Sequence, residues 1–485
     1  MAILEKDRVL LKRLDAYNRG IQDDPYMPDN ADSEYRMLAK RAVTNICPFI
    51  ISTPAQALYV DSFRRGSTSD DYSASGAALG DTKAIRPEWD HWQSSHLDAR
   101  QHAIYRAALN FGHAFTVTEF NDKNKLITKG LSPLRTSALF DDPANDLVPL
   151  FAFHVKKWER RAGDEIEKGE AVVWDGTYKY TVYFDSLLDE EFEITKGVRH
   201  GADECPVTRF ACMVDLEGRT VGVIEPLIEL QNRLNQTVFD LLVVQSFASF
   251  KVRTVSGMAP PVKMQAVHED GEVVGFEPVL DEQGRMIPDE INLNAKRIFW
   301  AEDGDVSFGT LDETPLDGFL KAIELAFQHI AALSQTPPHH LLGQIANLSA
   351  DALTAAETAL GRKVEEFKSS FGESWERVFR LAMAMLSEDG ADDYAGECIW
   401  RDMEQRSLSA AGDALGKLRE QLGIPARGLW SRVPGATASE IRQWEQLADE
   451  EEPETMLART LQNATSSAQR PNYRDPERVE AGSAA

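Results

Sequence analysis

Two apolar-striped segments flank a proline-broken polar loop in the second half of this 485-residue chain, and no other feature limits its fold as strongly. The first stripe is Leu316, Phe319, Leu320, Ile323, Phe327 and Ile330. The second is Leu353, Ala356, Leu360, Val364, Phe367, Phe371, Trp375, Val378, Ala382 and Met385, spaced three and four apart without a slip. Both spacings predict helices. Between them, Pro337 forces Thr336 out of the helical region, and Ser349 or Asp351 can cap the next start. This reads either as an ordinary helix–loop–helix or as a loop held in position between two stiff rods.

A chain this long is expected to form two or three domains. Hydrophobic residues make up 43% and charged residues 27%, an ordinary globular composition. The formal net charge of −26 makes tight, nonspecific binding to a phosphate backbone an unexpected activity. Cys47, Cys205, Cys212 and Cys398 are too few and too irregular for a disulfide framework or a zinc motif, which suggests reduced, intracellular thiols. Residues 1–19 read as a charged amphipathic helix rather than a signal peptide, and no apolar run reaches the roughly 18 residues of a membrane span. A soluble protein without membrane contact is expected.

Along the chain, Ile3–Arg19 reads as a helix closed by Gly20, and a second helix from Ser33 to Cys47 is expected to stop at Pro48. Residues 57–63 alternate as a strand, and residues 65–82 form a Gly/Ser/Asp-rich loop. Pro87 opens one helix that runs to Gly112, followed by a strand over 114–120. Residues 127–223 are mostly short strands, with a hairpin around Asp175-Gly176. Glu225-Pro226 begins a long helix to about Phe250; Gln231, Asn232, Asn235 and Gln236 form its polar face. Residues 251–311 return to strands and turns. A short strand at 399–401 precedes helices over 408–422 and 439–449, and the tail after residue 466 reads as disordered. The fold class is α+β.

Catalytic signatures do not appear: there is no Walker-type loop, no Gly-x-Gly-x-x-Gly, no His-Glu-x-x-His and no Gly-x-Ser-x-Gly elbow. An enzyme is therefore not expected, nor a cofactor. Asp303-Gly304-Asp305 starts like a calcium loop but lacks the glycine and the terminal glutamate that such a loop needs. His339-His340 are expected to point apart, with no Cys, Asp or Glu close in sequence to complete a metal sphere, so no metal site is assigned. Lys251, Arg253 and Lys263 cluster modestly, as a contact for an acidic partner or as ordinary surface salt pairing.

Four stretches in this order resemble the phage portal proteins, specifically those of long-tailed phages of actinobacteria. The first is Leu14-Asp15-Ala16-Tyr17-Asn18-Arg19-Gly20 with Tyr26-Met27-Pro28, Tyr35 to Lys40 and Leu58 to Phe63. The second is Trp92, Leu97-Asp98 and Ala107 to Phe115. The third, Leu230 to Asp240, is similar to the family's first stem helix. The fourth is the pair of striped helices with its loop, although Asn347-Leu348-Ser349-Ala350-Asp351-Ala352-Leu353 only approximates the family's usual run, and residues 65–82 match nothing in it.

The resemblance implies a ring of twelve identical subunits at one capsid vertex, through which DNA is packaged, retained and ejected. It implies a wing over 1–224, completed by 351–404, a stem from 225–250 and 316–335, a clip over 251–315, a tunnel loop over 336–350, a crown over 405–450 and a tail over 451–485. Implied partners are other copies of the chain, the major capsid protein, the terminase large subunit, a head-completion adaptor and the double-stranded DNA in transit. The implied location is the virion, after assembly in the host cytoplasm. By matched position the channel residues are His339, His340, Gln344, Asn347 and Ser349, and the partner-facing clip residues are Lys251, Arg253 and Lys263. Three features of the sequence agree with such a role. An acidic ring lets a polyanion slide, the loop carries no Lys, Arg, Asp or Glu, and a missing nucleotide site suits a passive conduit. The alternatives are a helical scaffold or adaptor without a channel, and an enzyme whose active site is dispersed along the chain and so leaves no motif.

Overall fold

The computed structural model describes residues 2–27, 33–66, 87–158, 160–162, 165–186, 192–248, 253–256, 262–269, 272–281, 283–287, 307–310, 315–342, 350–401, 408–430, 432–433, 436 and 438–451. The chain opens with α1 (Ala2–Asn18), α2 (Ser33–Ala42), α3 (Cys47–Ala57), β1 (Val60–Arg64), α4 (Pro87–Ser94) and α5 (Leu97–Phe111). A β-rich stretch follows: β2 (His113–Phe120), β3 (Leu126–Leu131), β4 (Thr136–Leu139), β5 (Phe151–Lys157), β6 (Arg160–Ala162), β7 (Glu165–Glu167), β8 (Gly169–Trp174), β9 (Tyr178–Phe184), β10 (Glu193–Ile194), β11 (Val198–Arg199) and β12 (Val207–Ala211). A 3₁₀ turn at Glu225–Leu227 leads into α6 (Ile228–Ala248). Next come β13 (Arg253–Ser256), β14 (Met264–Glu269), β15 (Glu272–Pro278), β16 (Ser307–Thr310), α7 (Asp317–Ser334), α8 (Pro338–Leu342) and α9 (Ala350–Leu386). The chain then adds β17 (Glu397–Trp400), α10 (Leu408–Leu422), α11 (Arg427–Trp430) and α12 (Ala438–Glu451). This is the expected mixture of helix and antiparallel sheet.

Internal contacts divide the chain into two units. One comprises Met1–Gln22, Asn45–Gln231 and Gln328–Ala485; the other comprises Asp23–Thr44 and Asn232–Phe327. The core of the larger unit is layered. Strands β12, β2 and β3 pair antiparallel, and both faces of β2 and β12 are buried. Because side chains alternate across a strand, Phe115, Val117 and Val207 meet Ala152, Val172 and Trp174 of the six-stranded sheet β10-β9-β8-β5-β4, in which β11 also pairs with β9. The opposite face carries Thr116, Thr118 and Thr208 and lies under α5 and α9. The expected hairpin is there: β8 pairs with β9, and Asp175 accepts hydrogen bonds from the Thr177 and Tyr178 amides at 2.7 and 2.6 Å.

Helix α9 is 37 residues long, about 55 Å at 1.5 Å per residue. Its stripe is buried from Val364 onward, through Phe367, Phe371, Trp375, Val378, Ala382 and Met385. Trp375 meets Trp92 of α4 and Phe210 of β12 edge-on, with centroids 4.8 and 4.6 Å apart, and donates its indole N–H to Tyr105 Oη at 2.8 Å. Tyr105 in turn donates to Gln101 Oε1 at 3.2 Å, the same oxygen that accepts the Val60 amide at 2.8 Å. Aromatic burial and a satisfied polar chain therefore fix α5, α9 and β1 to one another. Arg377, also on α9, reaches β12 and the residues that lead into it. Its guanidinium donates to the carbonyls of Val207 and Cys205, to Thr208 Oγ1 and to Glu204, at 2.6–2.9 Å.

Two expectations fail locally. Pro48 does not end a helix; α2 stops at Ala42, and Pro48 sits in the first turn of a separate helix, α3, where a missing N–H costs nothing. The single helix expected from Pro87 is two, because His96 adopts φ of +55° between α4 and α5. Gly112, with φ of +85°, ends α5 as expected. The loop at 65–82 lies outside the described residues after Gly66, as does the tail beyond Glu451.

The smaller unit contains two antiparallel pairs, β13 with β16 and β14 with β15, together with α2 and most of α6 and α7. Ala39, Ala42 and Phe239 are its buried cluster, with Tyr35 and Val238 packed against them. The polar face of α6 is not a solvated surface. Asn235, fully buried, accepts the Thr44 amide at 3.0 Å, and Gln236 accepts the Tyr26 amide at 2.6 Å. In the larger unit, Gln231 likewise accepts the Ile46 amide at 3.3 Å. These carboxamides satisfy backbone donors that the irregular segments beside α2 leave without a ladder.

Candidate functional site

The turn between α7 and α9 is built by local rules. At the end of α7, Gln335 adopts φ of +54°; its amide bonds Ala332 O at 3.4 Å, and the Thr336 amide bonds Ala331 O at 3.0 Å. That double closure satisfies two of the four carbonyls that the helix end leaves without intrahelical partners. Thr336 and Pro337, both buried, lie outside the helices, as expected for a residue that precedes proline, and Pro338 takes the first position of the short helix α8. Residues 343–349 follow, and α9 begins at Ala350.

Two long-range ties fasten the base of this segment. Lys363, two turns into the described side chains of α9, donates from Nζ to Ser334 O at 2.9 Å, placing a cation at the negative end of α7. Burial lowers the Lys363 pKa from its ordinary value, and its ammonium also lies 5.8 Å from the Phe367 ring. The second tie joins α8 to α9. His339 Nε2 and His340 Nε2 each lie 3.1 Å from the same Glu357 oxygen, and the two rings stand 4.4 Å apart at 71°. The adjacent histidines therefore converge rather than point apart. Their carboxylate partner sits 18 residues after His339, beyond the range of a local motif.

Of the residues singled out in the sequence, His339 and His340 are thus brought together on α8. The His339 side chain is 7% exposed and the His340 side chain 32%. Gln344, Asn347 and Ser349 lie outside the described residues, as does Lys251. Arg253 opens β13 opposite Thr310. Lys263 is exposed, and its backbone bonds Ile287 O and the Val279 amide, at 2.9 and 2.8 Å. Glu357 and Lys363 escaped the sequence reading, since each sits on a helix face whose importance depends on where the chain returns after the turn.

Among the described residues, no helix is long and apolar enough to cross a membrane. The portal protein of Mycobacterium phage L5 is 26% identical over 387 residues, covering 74% of this chain and 71% of that protein. The portal protein of Mycobacterium phage D29 is 26% identical over 419 residues, covering 81% and 78%. The family model described as phage portal protein, SPP1 Gp6-like, matches residues 3–454, nearly the whole chain, and the chain therefore belongs to that family of structural, non-enzymatic phage proteins.

Proposed function

We propose that this chain is the repeating subunit of a ring, twelve-fold by family resemblance, that forms the DNA channel at one capsid vertex. In this reading 1–224 and 351–404 form the wing, 225–250 and 316–335 the stem, 251–315 the clip, 336–350 the tunnel loop and 405–450 the crown. The observation that carries it is the succession of α6, paired short strands, α7, a turn with a fastened base and the long helix α9, within a chain of portal family. Leu320, Leu325 and Leu333 on α7 are each at least half exposed in the single chain, apolar surface of the kind that neighbouring subunits cover. The net charge of −26 supports passage over capture, because each phosphate contact adds affinity that a moving duplex has to break.

Gln344, Asn347 and Ser349, with the more exposed His340, would offer passing phosphates hydrogen bonds without a fixed charge. Lys251, Arg253 and Lys263 would face an acidic surface on the terminase large subunit or the head-completion adaptor, while the wing would meet the major capsid protein. Electron-microscopic imaging of the purified protein tests the channel. Rings with an axial bore wide enough for duplex DNA, and residues 336–350 directed toward it, are expected. Particles without a bore, or with that segment on the outer rim, would refute the reading. Substituting Gln344→Ala with Asn347→Ala is expected to leave ring assembly intact and to lower the yield of genome-filled particles; a normal yield would remove the loop from the mechanism.

A further inference from the structure

The geometry points to a divalent transition-metal site formed by His339 Nε2, His340 Nε2 and a Glu357 carboxylate oxygen, with zinc, nickel, cobalt or copper as the class of ion. The three donor atoms lie within 4.8 Å of one another, and both nitrogen–oxygen separations are 3.1 Å. Metal bonds of about 2.0–2.1 Å arranged tetrahedrally set neighbouring ligand atoms about 3.3–3.4 Å apart. Each nitrogen–oxygen pair therefore needs to spread by only a few tenths of an ångström to admit an ion, and the two nitrogens lie within 4.8 Å of each other. Two imidazoles with one carboxylate select borderline cations over magnesium or calcium, which take oxygen ligands.

The burial pattern supports binding as well. His339, with 7% of its side chain exposed, is held in place before any ion arrives, whereas His340 and Glu357, at 32% and 39%, leave a way in. Three protein ligands leave one tetrahedral position for water or for an anionic oxygen. An ion here would join α8 to α9 and so tie together the two ends of the chain that connects them. Closing a loop of this kind restricts it through chain entropy, independently of what the segment later touches. The site does not rest on the channel reading, since it is a property of each chain.

The test uses full-length protein without an affinity tag, stripped of metal by chelator dialysis and titrated with Zn2+, Co2+ and Mg2+ by calorimetry. Saturable binding of one Zn2+ per chain is expected, with intense visible absorption from bound Co2+ and no heat from Mg2+. His340→Ala, at a partly exposed position, and Glu357→Gln, which keeps the side chain's shape, should each weaken Zn2+ binding at least about 100-fold, beyond the 10–100-fold loss typical when only a supporting contact to a ligand is removed. His96→Gln, at an exposed histidine elsewhere, should bind as the parent does. Absence of saturable Zn2+ binding, or unchanged affinity in both site variants with their circular dichroism intact, would overturn the assignment.

Discussion

Acid should loosen the larger unit through His91, and replacing that one side chain should remove a definable part of the effect. His91 in α4 is 4% exposed, and its Nε2 lies 2.8 Å from Thr128 Oγ1 in β3, which is itself 2.8 Å from Thr118 Oγ1. Burial, assisted by the positive charge of Lys125, lowers its pKa from 6.5 to about 4. An unfolded chain takes up the proton near pH 6.5, and the folded chain refuses it until about pH 4. Stability contributed by this site is therefore complete above pH 6.5 and is lost as pH falls through that window. At about 1.4 kcal/mol per unit, the loss reaches about 2 kcal/mol at pH 5 and about 3 kcal/mol below pH 4. His91→Gln keeps a hydrogen-bonding partner for Thr128 but cannot titrate. Urea unfolding, followed by tryptophan fluorescence, to which Trp89 and Trp92 stacked in the same helix contribute, reads the difference at pH 7.5 and pH 5. Burial likewise lowers the pKa values of His113 and His154 to about 4, but both remain in parent and variant and cancel in the comparison. The parent should lose about 2 kcal/mol more than the variant on acidification, a midpoint difference of about 0.7 M if the unfolding slope is about 3 kcal/mol per M. Equal losses in the two proteins would refute the reasoning.

Arg377→Leu should cost roughly 2–6 kcal/mol, about 1–3 kcal/mol for each of the Val207 and Cys205 carbonyls that lose their guanidinium donor; a thermal melt within a few degrees of the parent would contradict this. Gly222→Ala should fold poorly, since its Cβ would stand 2.2 Å from the backbone oxygen of Asn110, a contact that backbone rather than a flexible side chain has to relieve; soluble yield and melting temperature report it. Lys363→Met keeps the apolar stem but removes the cation from Ser334 O. Hydrogen exchange in the last turn of α7 should then quicken in proportion to a lost charged hydrogen bond, about 1.5–3 kcal/mol, while exchange in β2 stays unchanged.

What the sequence made legible was whatever repeats locally. The α9 stripe, the Asp175 hairpin and the Gly112 stop each depend on neighbours within a few residues, and each forms where the pattern predicts. Misreadings came where one local signal had two physical outcomes. Pro48 halts a helix in one setting and starts one in another, and only the chain direction entering at Ile46 decides between them. The carboxamides on α6 read only as a polar face, because nothing in a 3.6-residue period says that irregular backbone from around residue 45 will come to rest against them. Strand β1 offers the extreme case: its partner β17 lies more than 300 residues further along the chain, and no composition rule spans that distance.

The same division by range explains the fastened turn. Within 341–349 the chain carries no charged side chain, whereas the groups that secure it, Glu357 and Lys363, sit beyond it on α9. Placing the charged partners of these ties outside the segment lets its base be held by directional contacts while the segment itself stays free of fixed charge. A charge inside the segment would serve both purposes at once, and a lysine there would bind each passing phosphate more tightly than transit allows. The proposed channel role therefore requires the separation that the chain displays, and introducing a lysine at Gln344 should slow DNA movement even where ring assembly and the ties at its base are untouched.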